Sequence, residues 1–403
     1  MKKAIISVTD KENIIEFAKG LIDSGYEIIS TGGTFAVLNK AGIAVINIED
    51  ITNFPEILDG RVKTLNPFVH GGILYRRDLE KDQHTIKELG IESIDLVCVN
   101  LYKFQEAVEQ KLEEEKLIEE IDIGGPTLIR AAAKNYKDVV VVTDTKDYPD
   151  IINKIQNNTL DLTYRRGLAA KAFKLIANYD ISISSYFNKN MEYLQLEENK
   201  KLSYGENPHQ EAEIYKLDFN KQSMMDLEQL WGKEMSYNNY NDTFAALELL
   251  HDFKDEKFFS CSIKHSTVCG AAAGINDLDS YQKCYQSDSI GIFGGIVALN
   301  YKVDEAVATE INKIFIEILI APEFTKEALD VLKTKKNIRI LKYSSLEYFN
   351  KSSYKDLDGY LLKQTRDFDL YEELKYVTVN KPSDSEMDDL LFAYKIVKNI
   401  KSN

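Results

Sequence analysis

Nowhere in its 403 residues does the chain carry a run of about 18 apolar residues, the length a membrane-spanning helix needs. Its first residues, MKKAIISVTDKEN, open with two lysines but hold only a short apolar stretch, too little for a signal peptide, and read as a first strand. Cysteine is scarce. Cys98, Cys261, Cys269 and Cys284 show no CxxC spacing, which argues against a disulfide framework or zinc knuckle and for reduced thiols in the cytoplasm. Positive charge is in deficit: 50 Lys and Arg against 65 Asp and Glu leave a net −15. Such a surface argues against a nucleic acid or an anionic membrane as partner. An anionic small substrate would need a local cluster of cations. Internal repeats and low-complexity tracts are also missing, and 44% hydrophobic with 29% charged residues is an ordinary globular balance. The length suffices for two or three domains.

What is present is alternation. KAIISV, YEIIS, SIDLVCVNLY and KDVVVVT read as strands; KENIIEFAKGLIDSG, TFAVLNKAG and TLIRAAAKN read as helices, and helices continue from Tyr148 to about residue 190. The pattern predicts an α/β protein with a parallel sheet covered by helices. The polar stretch NKNMEYLQLEENKKLSYGENPHQ interrupts it, and a boundary near residue 195 divides the chain into domains 1–195 and 196–403. Strands resume at KFFSCSI and IGIFGGIVALN, with helices around 303–317 and 325–335. Ser383 and Glu386 have capping-box spacing ahead of a last amphipathic helix.

Four stretches carry chemistry. Ser30-Thr31-Gly32-Gly33-Thr34 between strand and helix can hold an anion on helix-start amides, or be a plain βα turn with a threonine cap. In Gly60-Arg61-Val62-Lys63-Thr64, an extended backbone would point Arg61 and Lys63 to one side, suiting a phosphate; the bland reading is a solvated basic pair. Asp122-Ile123-Gly124-Gly125-Pro126-Thr127 precedes a helix on which Arg130 and Lys134 share a face. Asp122 and Tyr102, at the ends of extended segments, could share acid–base work with a lysine, or be a helix cap and a packed phenol. Last, SIKHSTVCG sets Lys264 beside His265: a base with a cationic helper, a metal site, or a strand leading into a packed helix.

SVTDK, STGGT, GRVKTLNP, VHGGIL, NLY and IDIGGPTLIRAAAKN, in this order, closely resemble the bifunctional purine biosynthesis enzymes that join IMP cyclohydrolase to AICAR formyltransferase. The resemblance runs from residue 1 to the last. It implies a doubly wound, methylglyoxal-synthase-like first domain holding the ribose phosphate of FAICAR or IMP. Thr9, Asp10, Lys11, Thr31, Gly32, Gly33, Thr34, Arg61, Thr64, Asn100 and Ile123 would line that site. Lys134 would be the main proton-transfer residue, assisted by Lys63, Tyr102 and Asp122, with no cofactor.

YGENPHQ, KHSTVCG, IAPEF, KKNIRIL and LLKQTRD resemble the transformylase half, of cytidine-deaminase-like α/β architecture. That implies 10-formyltetrahydrofolate as co-substrate, His265 as proton acceptor and Lys264 as transition-state cation. Asn337 would join the catalytic set, while Tyr204, Gly294, Glu317 and Arg366 would hold AICAR. No zinc is implied, and HxE with PCxxC is missing. Ser203 stands where the family usually has arginine, and Thr267-Val268 where it has asparagine–proline. The family's GIGAGQ- and SDAFFPF-type stretches do not follow Asn403, so the transformylase domain reads as C-terminally incomplete, with apolar surface left exposed. The expectation is intact cyclisation, weak or absent formyl transfer by this chain alone, and a homodimer. A second chain supplying the remaining segment and a non-catalytic nucleotide-binding module are the alternatives. The second lacks a reason to keep Tyr102, Asp122 and Lys134.

Overall fold

The computed structural model describes residues 1–101, 104–217, 222–348 and 350–400. The chain forms two compact units, Met1–Tyr193 and Leu194–Asn403.

The first unit is built on strands Lys2–Ser7 (β1), Tyr26–Ser30 (β2), Val45–Asn47 (β3), Leu96–Val99 (β4) and Val140–Val142 (β5). They pair entirely in parallel, in the order β3-β2-β1-β4-β5. Its helices are Ile14–Asp23 (α1), Gly32–Lys40 (α2), Ile48–Thr52 (α3), Pro67–Leu74 (α4), Glu80–Glu88 (α5), Phe104–Glu109 (α6), Glu114–Glu119 (α7), Gly124–Lys134 (α8), Tyr148–Gln156 (α9) and Leu162–Phe187 (α10). Helices cover both faces of a parallel sheet, so its strands are apolar at every position rather than at alternate ones. LVCV of β4 and VVV of β5 are accordingly buried throughout. The order reverses at β1, and the loops leaving the C-terminal ends of β1, β2 and β4 gather there, where open α/β sheets place their ligands.

The second unit adds Glu197–Leu202 (β6), Ala212–Lys216 (β7), Leu227–Trp231 (β8), Phe259–Lys264 (β9), Thr267–Ala273 (β10), Ile296–Leu299 (β11), Ile318–Ala321 (β12), Arg339–Tyr343 (β13), Ser352–Leu357 (β14) and Tyr360–Thr365 (β15). Its helices are Tyr237–Asp252 (α11), Asp277–Ser287 (α12), Glu305–Ile311 (α13), Lys326–Leu332 (α14) and Asp384–Lys398 (α15). The main sheet has the order β10-β9-β11-β12-β13-β8 and is mixed: β11, β12 and β13 are parallel, while β9, β10 and β8 run antiparallel to their neighbours. Alternation along β11 splits the core. Ile296 and Ala298 face α11 with Leu247 and Leu250, whereas Val297 and Leu299 pack with Val307, Ala308 and Leu332 of α13 and α14. β6–β7 and β14–β15 are separate hairpins.

The capping box at Ser383 and Glu386 is present and opens α15. Phe392 packs 4.9 Å from Phe253, and Lys398 pairs with Asp252 at 2.8 Å. Leu390, Tyr394 and Val397 face outward, and Val377 and Val379 are 91% and 100% exposed. Among the described residues no helix is long and apolar enough to cross a membrane.

Candidate active sites

In the first unit α2 starts immediately after β2, with Thr31 extended and making no side-chain cap, so the threonine-cap reading fails and the helix's first amides are not claimed by that hydroxyl. Gly32 has φ +46°, and a β-carbon there would lie 3.6 Å from Lys63 Nζ; one on Gly33 would lie 3.9 Å from Lys11 Cε. Two lysines therefore converge over the positive end of a helix dipole, the environment an anion seeks. Thr34 is occupied otherwise: its hydroxyl donates to Val8 O at 2.9 Å and accepts from Val8 N–H at 3.0 Å, holding the β1–α1 loop. Asn100, just past β4, holds the same loop from the other side. Its Oδ1 accepts from Thr9 N–H and Asp10 N–H at 2.6 and 3.1 Å, and its Nδ2 donates to Asp10 O at 3.0 Å.

Residues 57–64 are not extended as expected. A tight turn at Leu58–Gly60 folds them back, with Ile57 bridging Val62. Arg61 then leaves toward Glu119, while Lys63 pairs with Glu56 at 2.9 Å beside α2. The two cations do not form a clamp; Lys63 alone of the pair joins the cluster. Asp122 likewise does not end a strand but sits in the α7–α8 turn. Its Oδ1 accepts from Gly125 N–H at 2.9 Å, so it caps α8 as the bland reading had it. A β-carbon on Gly125 would overlap that carboxylate and press on Leu101 at 2.9 Å. Burial raises the Asp122 pKa, partly opposed by the Gly125 and Gly124 amides. Thr64, buried, lies 3.1 Å from where a Gly124 β-carbon would stand, and Ile123 is exposed beside it. Tyr102 lies outside the described residues.

Lys134 is not brought to this cluster. α8 runs from the ligand edge of the sheet back to the opposite edge, and ten residues of helix span roughly 15 Å. Next to it Asn135 donates to Ile73 O and Tyr75 O, and Asp138 meets Arg77, which pairs with Asp95 ahead of β4. Within this chain the lysine expected to move the proton thus sits at the far side of the sheet. Arg130 lies over the Phe173 ring of α10. Sequence reasoning missed Tyr179 of α10, whose hydroxyl accepts from Asp122 N–H at 2.7 Å and donates to Glu120 O, fixing the turn that carries Asp122. A tyrosine on a helix some 57 residues away gives no sequence signal.

In the second unit Lys264 does not lead into a helix. Lys264 and Thr267 pair across a two-residue hairpin whose tip is His265 and Ser266, at φ +52° and +56°. Type I′ turns need positive φ at both central residues and usually take Asn and Gly there. Two L-residues in this region cost ~1–2 kcal/mol each. His265 is exposed at the tip, and Lys264 Nζ donates to Phe293 O at 2.7 Å. Thr267-Val268 lie in the edge strand β10, next to a bulge at Cys269. Cys269 Sγ donates to Ser262 Oγ at 3.2 Å, and burial pushes its thiol pKa up, so it is poorly suited to act as a nucleophile.

Gly294, with φ +70°, precedes β11; Glu317 and Asn337 precede β12 and β13. Lys264, Gly294, Glu317 and Asn337 therefore stand in a row along one edge of the sheet, at the N-terminal ends of its parallel strands. α11 organises this edge. Asn238 Nδ2 donates to Glu206 O in the loop carrying Tyr204, Asn239 Nδ2 donates to Glu317 Oε2 at 2.9 Å, and Asp242 holds Ser266. Arg366 is committed elsewhere: it pairs with Glu248 at 2.9 Å, donates to Asn350 O and lies over the rings of Phe244 and Tyr348. Among the described residues no group of His, Cys, Asp and Glu is set to hold a metal ion.

An α/β chain with two lysines gathered at a helix start on a parallel sheet's ligand edge, and a lysine–histidine hairpin in a second sheet, offers two candidate sites. Residues 132–403 match the family model described as AICARFT/IMPCHase bienzyme, and residues 13–127 match that of the MGS-like domain. The bifunctional purine biosynthesis protein PurH of Clostridioides difficile (strain 630) is 48% identical over 411 residues, covering 100% of this chain and 81% of the relative. That of Clostridium botulinum (strain Loch Maree / Type A3) is 49% identical over 408 residues, with the same coverage. A solved structure described as "Crystal structure of ForH" is 34% identical at TM-score 0.43, covering 48% of this chain and 100% of that one. The chain belongs to the AICARFT/IMPCHase bienzyme family. It is a bifunctional formyltransferase and cyclohydrolase of the last two steps of purine biosynthesis.

Proposed function

We propose that the first unit carries the ring closure of FAICAR to IMP, and the second the formyl transfer from 10-formyltetrahydrofolate to AICAR. The observation that carries the first assignment is the convergence of Lys11 and Lys63 on the uncapped start of α2, which suits a ribose phosphate. In ring closure the carboxamide nitrogen attacks the formyl carbon; a C–N bond forms, the formyl oxygen becomes an alkoxide, and water leaves after proton transfer. With the phosphate left to Lys11 and the α2 amides, the Lys63 ammonium can instead turn to the developing alkoxide. Asp122, its pKa raised by burial, exchanges a proton nearer neutrality than an ordinary carboxylate.

In formyl transfer the AICAR amine attacks the formyl carbon. His265 accepts the amine proton, Lys264 faces the tetrahedral oxyanion, and the folate nitrogen leaves with a proton. An ammonium has three donors, so the bond to Phe293 leaves two to offer. Tyr204, Gly294, Glu317 and Asn337 line AICAR along the same edge. Arg366 supports that wall through Glu248 on α11. The reading places the enzyme in the cytoplasm as a homodimer. A side-by-side assay tests it: FAICAR should convert to IMP with no folate present, and AICAR should be formylated only with 10-formyltetrahydrofolate. Folate-dependent ring closure would overturn the assignment.

A further inference from the structure

The hairpin that offers His265 uses a turn its own residues disfavour, and the bond that holds it comes from another element. Ser266 is buried at the tip; its N–H donates to Asp242 Oδ1 at 2.7 Å and its hydroxyl donates to the same oxygen at 3.0 Å. Asp242 stands on the second turn of α11, one turn beyond Asn239, which holds Glu317. One carboxylate oxygen thus takes both donors of the residue that follows the base. Without it, only the Lys264–Thr267 pairing closes a turn of two successive left-handed L-residues, and the chain can relax to a looser loop. Such a relaxation would move the imidazole and leave the sheet intact, because β9 is paired on both sides.

We infer that Asp242 is a positioning residue for formyl transfer: it holds the Lys264–Thr267 turn in its left-handed form and so sets where the His265 ring stands. The inference rests on the proposed role of His265 as base. Asp242 touches neither substrate in this account. Its effect falls on the rate of the chemical step more than on binding, since the residues lining AICAR are held by other contacts.

The test uses the full chain and four variants. Asp242→Ala is expected to lower the formyl-transfer kcat by roughly ten- to hundredfold, with the AICAR KM within about threefold. Ser266→Gly in the Asp242→Ala background should restore most of the rate, because glycine adopts positive φ without strain. His265→Ala with Asp242→Ala should be no slower than His265→Ala alone, since a residue acting through the base has nothing left to position. Cyclisation of FAICAR serves as the folding control and should be unchanged throughout. A rate within twofold of wild type in Asp242→Ala, no rescue by glycine, or additive losses in the double variant would each overturn the inference. The carbon-bound proton resonances of His265 separate it from the role of the base. If His265→Ala stays active, the base assignment fails. The positioning claim still stands if Asp242→Ala shifts the His265 ring resonances and Ser266→Gly returns them, and it falls if they do not move.

Discussion

The two sites sit on opposite kinds of sheet edge. The first lies at the C-terminal ends of parallel strands, where β1, β2 and β4 release their loops and where α2 and α8 begin. The second lies at the N-terminal ends of β11, β12 and β13, toward which the intervening helices present their C-termini. A helix start supplies free amides and positive potential; a helix end supplies neither. The first site can therefore hold an anion largely on backbone, with glycines admitting the lysine tips. At the second, the start of α11 is closed by its own Ser236–Asn239 capping box, so positive charge comes on a side chain, Lys264 beside His265.

That contrast is open to attack by mutation. The largest effect is expected from His265→Ala, which should cut formyl transfer by about 100- to 10,000-fold while cyclisation holds, because no other base stands at the hairpin tip. Steady-state assays of both half-reactions check it, and equal losses in the two would break the division of labour. Next is the pair Lys63→Ala and Lys134→Ala. Lys63 lies over α2, so its loss should slow cyclisation roughly ten- to hundredfold. Lys134 stands at the far edge of the sheet, and its variant should lose less; the reverse order would return the proton transfer to Lys134 by a route outside the single chain. Smallest is a stability effect. Burial raises the folded pKa of Asp122 above its unfolded value, so its contribution is full below the unfolded value and falls as pH rises through the folded one. Asp122→Asn should raise Tm at pH 7 and leave it nearly unchanged near pH 3. A drop at pH 7 would mean that the capping bond from Gly125 outweighs the cost of burial.

The first unit was largely legible because its signals are local. Glycines stand at the starts of α2 and α8, and VVV and LVCV announce strands buried on both faces. Arg61 and Lys63 misled, since two residues apart on a strand share a side, but the turn at Leu58–Gly60 cancels that rule. The distance of Lys134 from the cluster was not legible, because a motif gives residues and not the direction in which a helix carries them. In the second unit KHST gave no hairpin signal, as His-Ser is a poor type I′ pair and its stabilising partner is 24 residues away. YNNYND did carry a readable hint: a polar first turn and a half on an otherwise apolar helix marks residues spent on something other than packing. The departure at Thr267-Val268 matters little to the fold, because an edge strand beside a bulge is where the family's proline and this chain's valine are both accommodated.

The opening of α11 has a further consequence. Within five residues, Asn238, Asn239 and Asp242 fasten the loop at Glu206, the carboxylate of Glu317 and the turn at Ser266. Three walls that are far apart in the chain thus hang from one peg. Their amides should exchange with solvent as a single cooperative block, and the pocket should come apart all at once rather than loop by loop.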